Sequence, residues 1–370
     1  MSSHDFASRQ PIYVFGAAMS LSGAILWAAF AVLAGFHRVG FGIIELLVLF
    51  AALVIVPLGI ELARTLEDTM PPPVARFLCV SQVAGALGVC IAMWLPPGRA
   101  AALLSGLWLL QCTWLAGLRI ARWRSQKPSL LRFLLDVAHA DLVIGAAWIL
   151  ISRAGWRPMG FQEPIILLTA IHFHYTGFGT AVIAAATLRW FQNKPMTLRG
   201  LPALLLCIVL LPFAVAVGFV FSPALRLVAA VTLSTCVTIL AFILLWLAHY
   251  LRNIDARVYL RLGACAVISA LFLSSAYAVS EYFGKGWISI PLMANTHGVL
   301  DSLGFVLLAM LGWLTELNSS DSSDKDDSWR DVKERTQPRN GVLPSRNGKP
   351  YPSEQPSPLP EFVARDFYDR

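Results

Sequence analysis

The stretch Thr169-Ala170-Ile171-His172-Phe173-His174-Tyr175-Thr176-Gly177-Phe178 lies in the middle of an apolar run from about residue 164 to residue 188. A helix crosses the hydrocarbon core of a bilayer with roughly 20 apolar residues, so this run is long enough to span it. Two histidines and a tyrosine would then lie near the membrane midplane, where polar groups are costly and mark functional sites by default. The question is which other groups reach them.

The composition places the whole chain among membrane proteins. Of its 370 residues, 57% are hydrophobic and 14% are charged, whereas a soluble chain is about 25% charged. The apolar stretch from about residue 12 to residue 35 is too long for the core of a signal peptide and has no clear small-residue cleavage site. It is therefore predicted to be the first spanning helix.

Ten apolar runs follow one another along the chain, and each approaches or exceeds the length of a spanning helix. They cover about residues 12–35, 40–62, 74–95, 99–118, 131–152, 164–188, 201–221, 224–248, 258–281 and 288–314. The hairpins near Pro97 and Pro223 are so tight that two helices there could instead form one re-entrant element. The predicted fold class is all-α: a polytopic transmembrane helix bundle of about 10 spans, formed by residues 1–317.

Lys and Arg residues are distributed unequally between the two sets of alternating loops. With the N-terminus inside, the inner set carries 14 of them and the outer set carries 6. Basic residues favour the cytoplasmic side, so the topology is predicted to be N-in/C-in, with both termini cytoplasmic. The net charge of +7 follows from these flanking residues, so the bilayer is the expected partner and nucleic acid is not.

The composition changes at about residue 318. Residues 319–327 read SSDSSDKDD, and scattered prolines and charges follow to Arg370. This segment has too little apolar mass to offset the entropy of ordering, so residues 318–370 are predicted to be a disordered cytoplasmic tail. A short partner-binding motif near Phe362–Tyr368 is the alternative interpretation.

Three of the predicted spans carry histidine or aspartate side chains near the midplane. In the fifth, Asp136 and His139 are three residues apart and share a helix face, while Asp141 points elsewhere. In the sixth, His172 and His174 diverge by roughly 160° around an ideal helix. These two histidines can bind one ion together only if the helix is bulged or unwound.

In the tenth span, His297 and Asp301 are four residues apart and stack on one face. Counted at about 1.5 Å per residue, the groups of the three spans fall within a slab roughly 12 Å thick around the midplane. Hydrogen bonds between membrane helices contribute only about 0.6 kcal/mol on average. This number of ionisable groups is more than helix packing alone requires. The candidate polar site consists of His139, His172, His174, Tyr175, His297, Asp136 and Asp301.

Imidazole and carboxylate groups together suit Zn²⁺ or Fe²⁺, with His174, His297 and His139 as candidate ligands. They equally suit a proton relay. Three classes stay open: a transporter with a water path to the midplane, an intramembrane metal-dependent enzyme with three converging ligands, and a structural or assembly protein whose polar groups pair off without a cavity. Walker A, GxSxG and GxGxxG motifs in their proper contexts are absent from the sequence.

Two motifs resemble a known family. Residues 171–178, IHFHYTGF, and residues 296–305, THGVLDSLGF, are similar to stretches in the YndJ-like family of bacterial multi-pass membrane proteins. In that family the position of Asp301 is often asparagine, which weakens its case as a metal ligand. The resemblance implies a bacterial inner-membrane protein, and some members are labelled transporters. The expected function is transport or proton-linked chemistry on a small or lipidic molecule at a buried His/Asp site.

Overall fold

A computed structural model of the chain describes residues 10–67, 71–122 and 127–319, with side chains from residue 18 onward. Within these ranges all regular secondary structure is helical. From residue 320 on, the predicted tail lies outside the described residues.

Ten helices in the described ranges are long and apolar enough to cross a membrane. They are α1 (Gln10–Gly35), α2 (Ile43–Leu66), α3 (Pro72–Trp94), α4 (Arg99–Arg122), α5 (Leu130–Ala154), α6 (Ile165–Gln192), α7 (Leu201–Phe221), α8 (Pro223–Tyr250), α9 (Ile254–Tyr282) and α10 (Ile290–Ser319). The predicted all-α bundle of ten spans is confirmed. The tight connections near Pro97 and Pro223 each join two full-length helices, so neither is a re-entrant element.

Local sequence accounts for where several helices begin and end. The hydroxyl of Ser129 accepts the backbone N–H of Arg132 at the start of α5, and that of Ser222 accepts the backbone N–H of Leu225 at the start of α8. Such caps satisfy backbone donors that have no partner within the helix. At the end of α5, Gly155 adopts a left-handed conformation with φ of 73°, which glycine adopts without strain.

The alternating helices give the bundle two ends. The hairpin face carries the short connections 36–42, 95–98, 155–164 and 283–289 and residue Ser222. The arginine face carries the opposite helix ends, among them those with Arg64, Arg119, Arg189 and Arg252. The basic asymmetry of the sequence predicts that the arginine face is cytoplasmic.

Helices α2 and α6 form the centre of the bundle. In their most apolar windows, 83% of the residues of α2 and 67% of those of α6 are buried, against 11% in α1. The two central helices pack against each other, while α5 packs against α4 and α6, and α9 packs against α8 and α10. This arrangement puts the first sequence motif, on α6, at the core of the protein.

Three spans contain π-helical segments. They cover Ala51–Ile55 in α2, Phe173–Gly179 in α6, and Ala294–Gly298 with Leu300–Val306 in α10. The segments in α6 and α10 coincide with the two motifs singled out from the sequence. π-Helical turns are rare in proteins overall, but they often occur at functional sites. Both motifs are therefore distinguished by their backbone conformation as well as by their side chains.

Candidate functional site

A cavity of about 460 Å³ lies among α5, α6, α7, α9 and α10 and reaches the hairpin face. Its volume is within the range of roughly 300–1,000 Å³ that is typical of ligand sites. The walls are mostly apolar, with Ile144, Ile165, Val215, Phe219 and Met293 among the lining residues. Polar side chains of both motifs line it, among them His172 and Thr176 from α6 and His297 and Asp301 from α10.

A second, smaller cavity of about 150 Å³ adjoins the first between α6, α7, α8, α9 and α10. It has a more polar lining, which includes Ser234 and Ser274 and an ion pair of 2.9 Å between Arg226 on α8 and Glu281 on α9. Four side chains of the motifs line both cavities: His172, Thr176, His297 and Asp301. These four side chains therefore lie at the junction of the two cavities.

On α10, His297 and Asp301 both face the cavities. Nδ1 of His297 donates a hydrogen bond of 2.9 Å to the backbone carbonyl of Ala270 on α9. This bond fixes the orientation of the ring and leaves Nε2 as the acceptor whenever the imidazole is neutral. No hydrogen bond or ion pair engages the carboxyl of Asp301 within the part of the chain that the structure describes, so both groups have bonding capacity directed at the cavities.

On α6, His172 has a buried Nε2 atom without a hydrogen-bond partner among the described residues. A buried polar atom left unpaired costs about 1–3 kcal/mol. Such an exception in a native structure requires an explanation, and a bound ligand or proton is one.

The second histidine of the α6 motif occupies a different place. His174 donates through Nδ1 to the carbonyl of Ala170 over 2.8 Å and accepts at Nε2 the indole N–H of Trp108 on α4 over 3.1 Å. Both ring nitrogens are therefore in use. Gly145 of α5 makes room for the ring, because a Cβ atom there would lie 2.5 Å from Nδ1.

Tyr175 lines the larger cavity but directs its hydroxyl away to α2. The hydroxyl donates a hydrogen bond of 2.7 Å to the backbone carbonyl of Leu47, and the residue is buried. This bond joins the two central helices beside the π segment of α6. Tyr175 therefore positions α6 at the cavity wall.

The two candidates on α5 lie toward the arginine face. Asp136 accepts a hydrogen bond of 2.8 Å from Nε of Arg119, and Arg119 also pairs with Glu67. His139 donates through Nδ1 to the carbonyl of Leu135 over 2.7 Å and lines a separate cavity of about 30 Å³ with Arg119 and Glu67. These side chains form an ionic cluster remote from the motif cavities.

The structure thus divides the seven residues predicted from the sequence into three places. His172, Tyr175, His297 and Asp301 line the large cavity, His174 lies between α4, α5 and α6, and Asp136 and His139 join the ionic cluster. The three candidate ligands His139, His174 and His297 do not converge. Over the described ranges, no group of three or more His, Cys, Asp or Glu side chains is placed to hold a metal ion.

Several residues around these groups could not be identified as part of the site from the sequence. Val215 and Phe219 on α7 and Tyr277 on α9 line the cavity, but in the sequence they are ordinary members of apolar runs. Arg119 was recognisable only as a basic residue at a span end. The only sequence feature that points to its ion pair is the opposite charge of Asp136 on the next span.

Ten apolar helices, several of which line a cavity with polar groups, define a polytopic α-helical membrane protein. The chain belongs to the YndJ-like protein family, whose model matches residues 46–305 and so includes both motifs. It is similar to the uncharacterized membrane protein YndJ of Bacillus subtilis (strain 168), with 26% identity over 172 residues. That alignment covers 46% of this chain and 31% of the relative, so the chain spans about a third of the relative's length. No solved structure matches the chain.

Proposed function

We propose that the protein binds a small amphiphilic molecule in the large cavity, as the loading step of proton-linked transport across the bacterial inner membrane. The observation that carries the proposal is the cavity of about 460 Å³ that joins three protonatable side chains, His172, His297 and Asp301, to the hairpin face. A transporter requires such a path to its site from at least one side. Ionisable groups inside membrane spans commonly serve as proton relays.

The bonding state of the three groups favours one chemical class of ligand. Because Nδ1 of His297 is the donor to Ala270, its Nε2 accepts when the ring is neutral, and His172 has an unpaired Nε2 atom. The carboxyl group of Asp301 accepts hydrogen bonds only once it has released its proton. The polar end of the ligand should therefore donate hydrogen bonds or carry a positive charge. With apolar walls for the remainder, the class that fits is a protonated amine on a hydrocarbon chain or ring system.

A purely structural role for the polar groups is the second candidate function. It is favoured for His174, whose two ring nitrogens both have partners within the bundle. It does not account for His172, whose buried Nε2 atom is unpaired among the residues described. The structural role therefore belongs to one histidine of the α6 motif and ligand binding to the other.

Binding of dodecylamine and of dodecanoate to the purified protein in lipid nanodiscs tests the proposal. We expect the amine to bind, and the carboxylate of the same chain length to bind at least about tenfold more weakly, a difference of about 1.4 kcal/mol. Val215→Trp, which fills the cavity, and Asp301→Asn should each weaken binding of the amine. Val228→Trp is the matched control, because Val228 is exposed on α8 and lines neither motif cavity.

Proton exchange is measured in the same preparation as the pH change of a weakly buffered solution on addition of the amine. The wild-type protein should release protons as the cation binds, and Asp301→Asn should release fewer. Equal binding of amine and carboxylate, or unchanged amine binding by the Val215→Trp variant, would contradict the proposal.

A further inference from the structure

A carboxyl group outside the cavities is buried without a partner. Asp141 on α5 is 0% exposed, and neither of its carboxyl oxygens has a hydrogen-bond partner in the described part of the chain. It lies against Gly177 in the π segment of α6, where a Cβ atom would be 2.7 Å from the carboxyl carbon and 2.8 Å from Oδ2. The carboxyl group of Asp141 thus occupies the space that a side chain at position 177 would fill.

The surroundings of Asp141 offer no positive charge. The mid-depth titratable side chains on the helices packed against α5 are His172, His174 and Tyr175 of α6 and Cys112 of α4. Of these, His172 lines the motif cavities. Both nitrogens of His174 are bonded, and the hydroxyl of Tyr175 is directed at Leu47. On α7 the titratable side chain is Cys207.

The charged groups toward the arginine face are engaged with one another. Arg119 of α4 lies toward the arginine face, bound to Glu67 and Asp136. On α5 itself, His139 donates to the carbonyl of Leu135. An ionised carboxylate at Asp141 would therefore be both desolvated and unpaired, and a group in that situation is neutralised instead.

We infer that Asp141 is a proton-binding site of this protein, and that its carboxyl group holds a proton in the conformation described. The inference does not rest on the amine-binding proposal, because Asp141 lines neither motif cavity. The two are connected through one element. Thr176 of the π segment lines the cavities, and the next residue, Gly177, contacts Asp141.

The position of Asp141 determines how its carboxyl group can exchange a proton with water. Asp141 is buried against Gly177 of α6, so its exchange with water needs an opening in the packing around it, and a parting of α5 and α6 near Gly177 would provide one. Occupation of the cavity and protonation of Asp141 act on the same π segment. The site is therefore suited to link a proton to a change in α6.

Infrared spectroscopy of the reconstituted protein at neutral pH tests the inference directly, because a protonated carboxyl group has a C=O stretching band that a carboxylate lacks. We expect Asp141→Asn, in which a neutral amide replaces the neutral acid, to lower the intensity of that band relative to the wild-type protein. Asp136→Asn is the matched control on the same helix. It should leave the band unchanged, because the carboxylate of Asp136 has the guanidinium group of Arg119 as its partner at 2.8 Å.

A second variant keeps the test decisive if Asp141→Asn does not insert into the membrane. Asp141→Glu retains the acid, so the band should persist and shift in frequency. Superimposable acid bands in the wild-type protein and Asp141→Asn would overturn the inference, as would an unshifted band in Asp141→Glu. Neither measurement needs a ligand, so failure here is distinct from failure of the amine-binding proposal.

Discussion

The indole Nε1 of Trp108 donates a hydrogen bond of 3.1 Å to Nε2 of His174, between residues that are 66 positions apart in the sequence. Both side chains are almost completely buried. The bond fixes the tautomer of the histidine, since Nε2 must accept while Nδ1 donates to Ala170. It also ties α4 to the π segment of α6, which makes His174 an anchor of the core.

Trp108→Phe should therefore destabilise the protein. The variant leaves Nε2 of His174 buried without a donor, which costs about 1–3 kcal/mol in the free energy of unfolding. The measurement is unfolding by denaturing detergent in mixed micelles. Trp287→Phe, at an exposed position in the 283–289 connection, should change little, and equal stability of the two variants would refute the anchor role.

Gly145→Ala should also destabilise the bundle, because the added methyl group would lie 2.5 Å from Nδ1 of His174. Overpacking of a filled core costs about 1–3 kcal/mol. Gly106→Ala is the control, since its nearest neighbour outside its own helix backbone is a methyl group of Leu150 at 3.7 Å. Thermal unfolding of both variants in the same detergent should show a lower Tm for Gly145→Ala alone.

Arg119→Met should lower the free energy of unfolding by more than the loss of a more exposed ion pair does. Arg119 is buried and pairs with both Glu67 and Asp136, so its removal takes the guanidinium group away from two carboxylates at once. Glu67 keeps its contact with Arg122 at 3.4 Å. Breaking a buried pair costs about 3–5 kcal/mol.

Arg226→Met is the comparison for that variant. It removes a single pair with Glu281 whose side chains are 20% and 35% exposed, for which about 1 kcal/mol or less is expected. Denaturant titrations of the two variants give both values. A smaller loss in Arg119→Met than in Arg226→Met would contradict the assigned role of the ionic cluster.

The orientation of the bundle is tested by reporter fusions. A cytoplasmic reporter joined after Lys127 should be active, and one joined after Gly160 should be inactive, because 14 basic residues flank the predicted inner side and 6 flank the outer side. A periplasmic reporter should give the reverse pattern. Periplasmic activity at Lys127 would invert the assignment.

The number of helices and the location of the motifs followed from the sequence, because span length and apolar content are one-dimensional properties. The direction in which each motif side chain points did not. Residue spacing assumes an ideal α-helix, whereas α6 is π-helical from Phe173 to Gly179. The partners of His174 and Asp136, which are Trp108 and Arg119, come from α4, and no local pattern identifies a neighbouring helix.

The π segment of α6 has a mechanical consequence. A π-helical turn closes its hydrogen bonds one residue later than an α-helical turn, so it stores one extra residue in the helix. Moving that extra residue along the axis would rotate the side chains between its old and new positions by about 100°. Both ends of α6 would stay in place. Such a shift would turn side chains of α6 from the cavity toward α5, or the reverse, without tilting any of the ten spans.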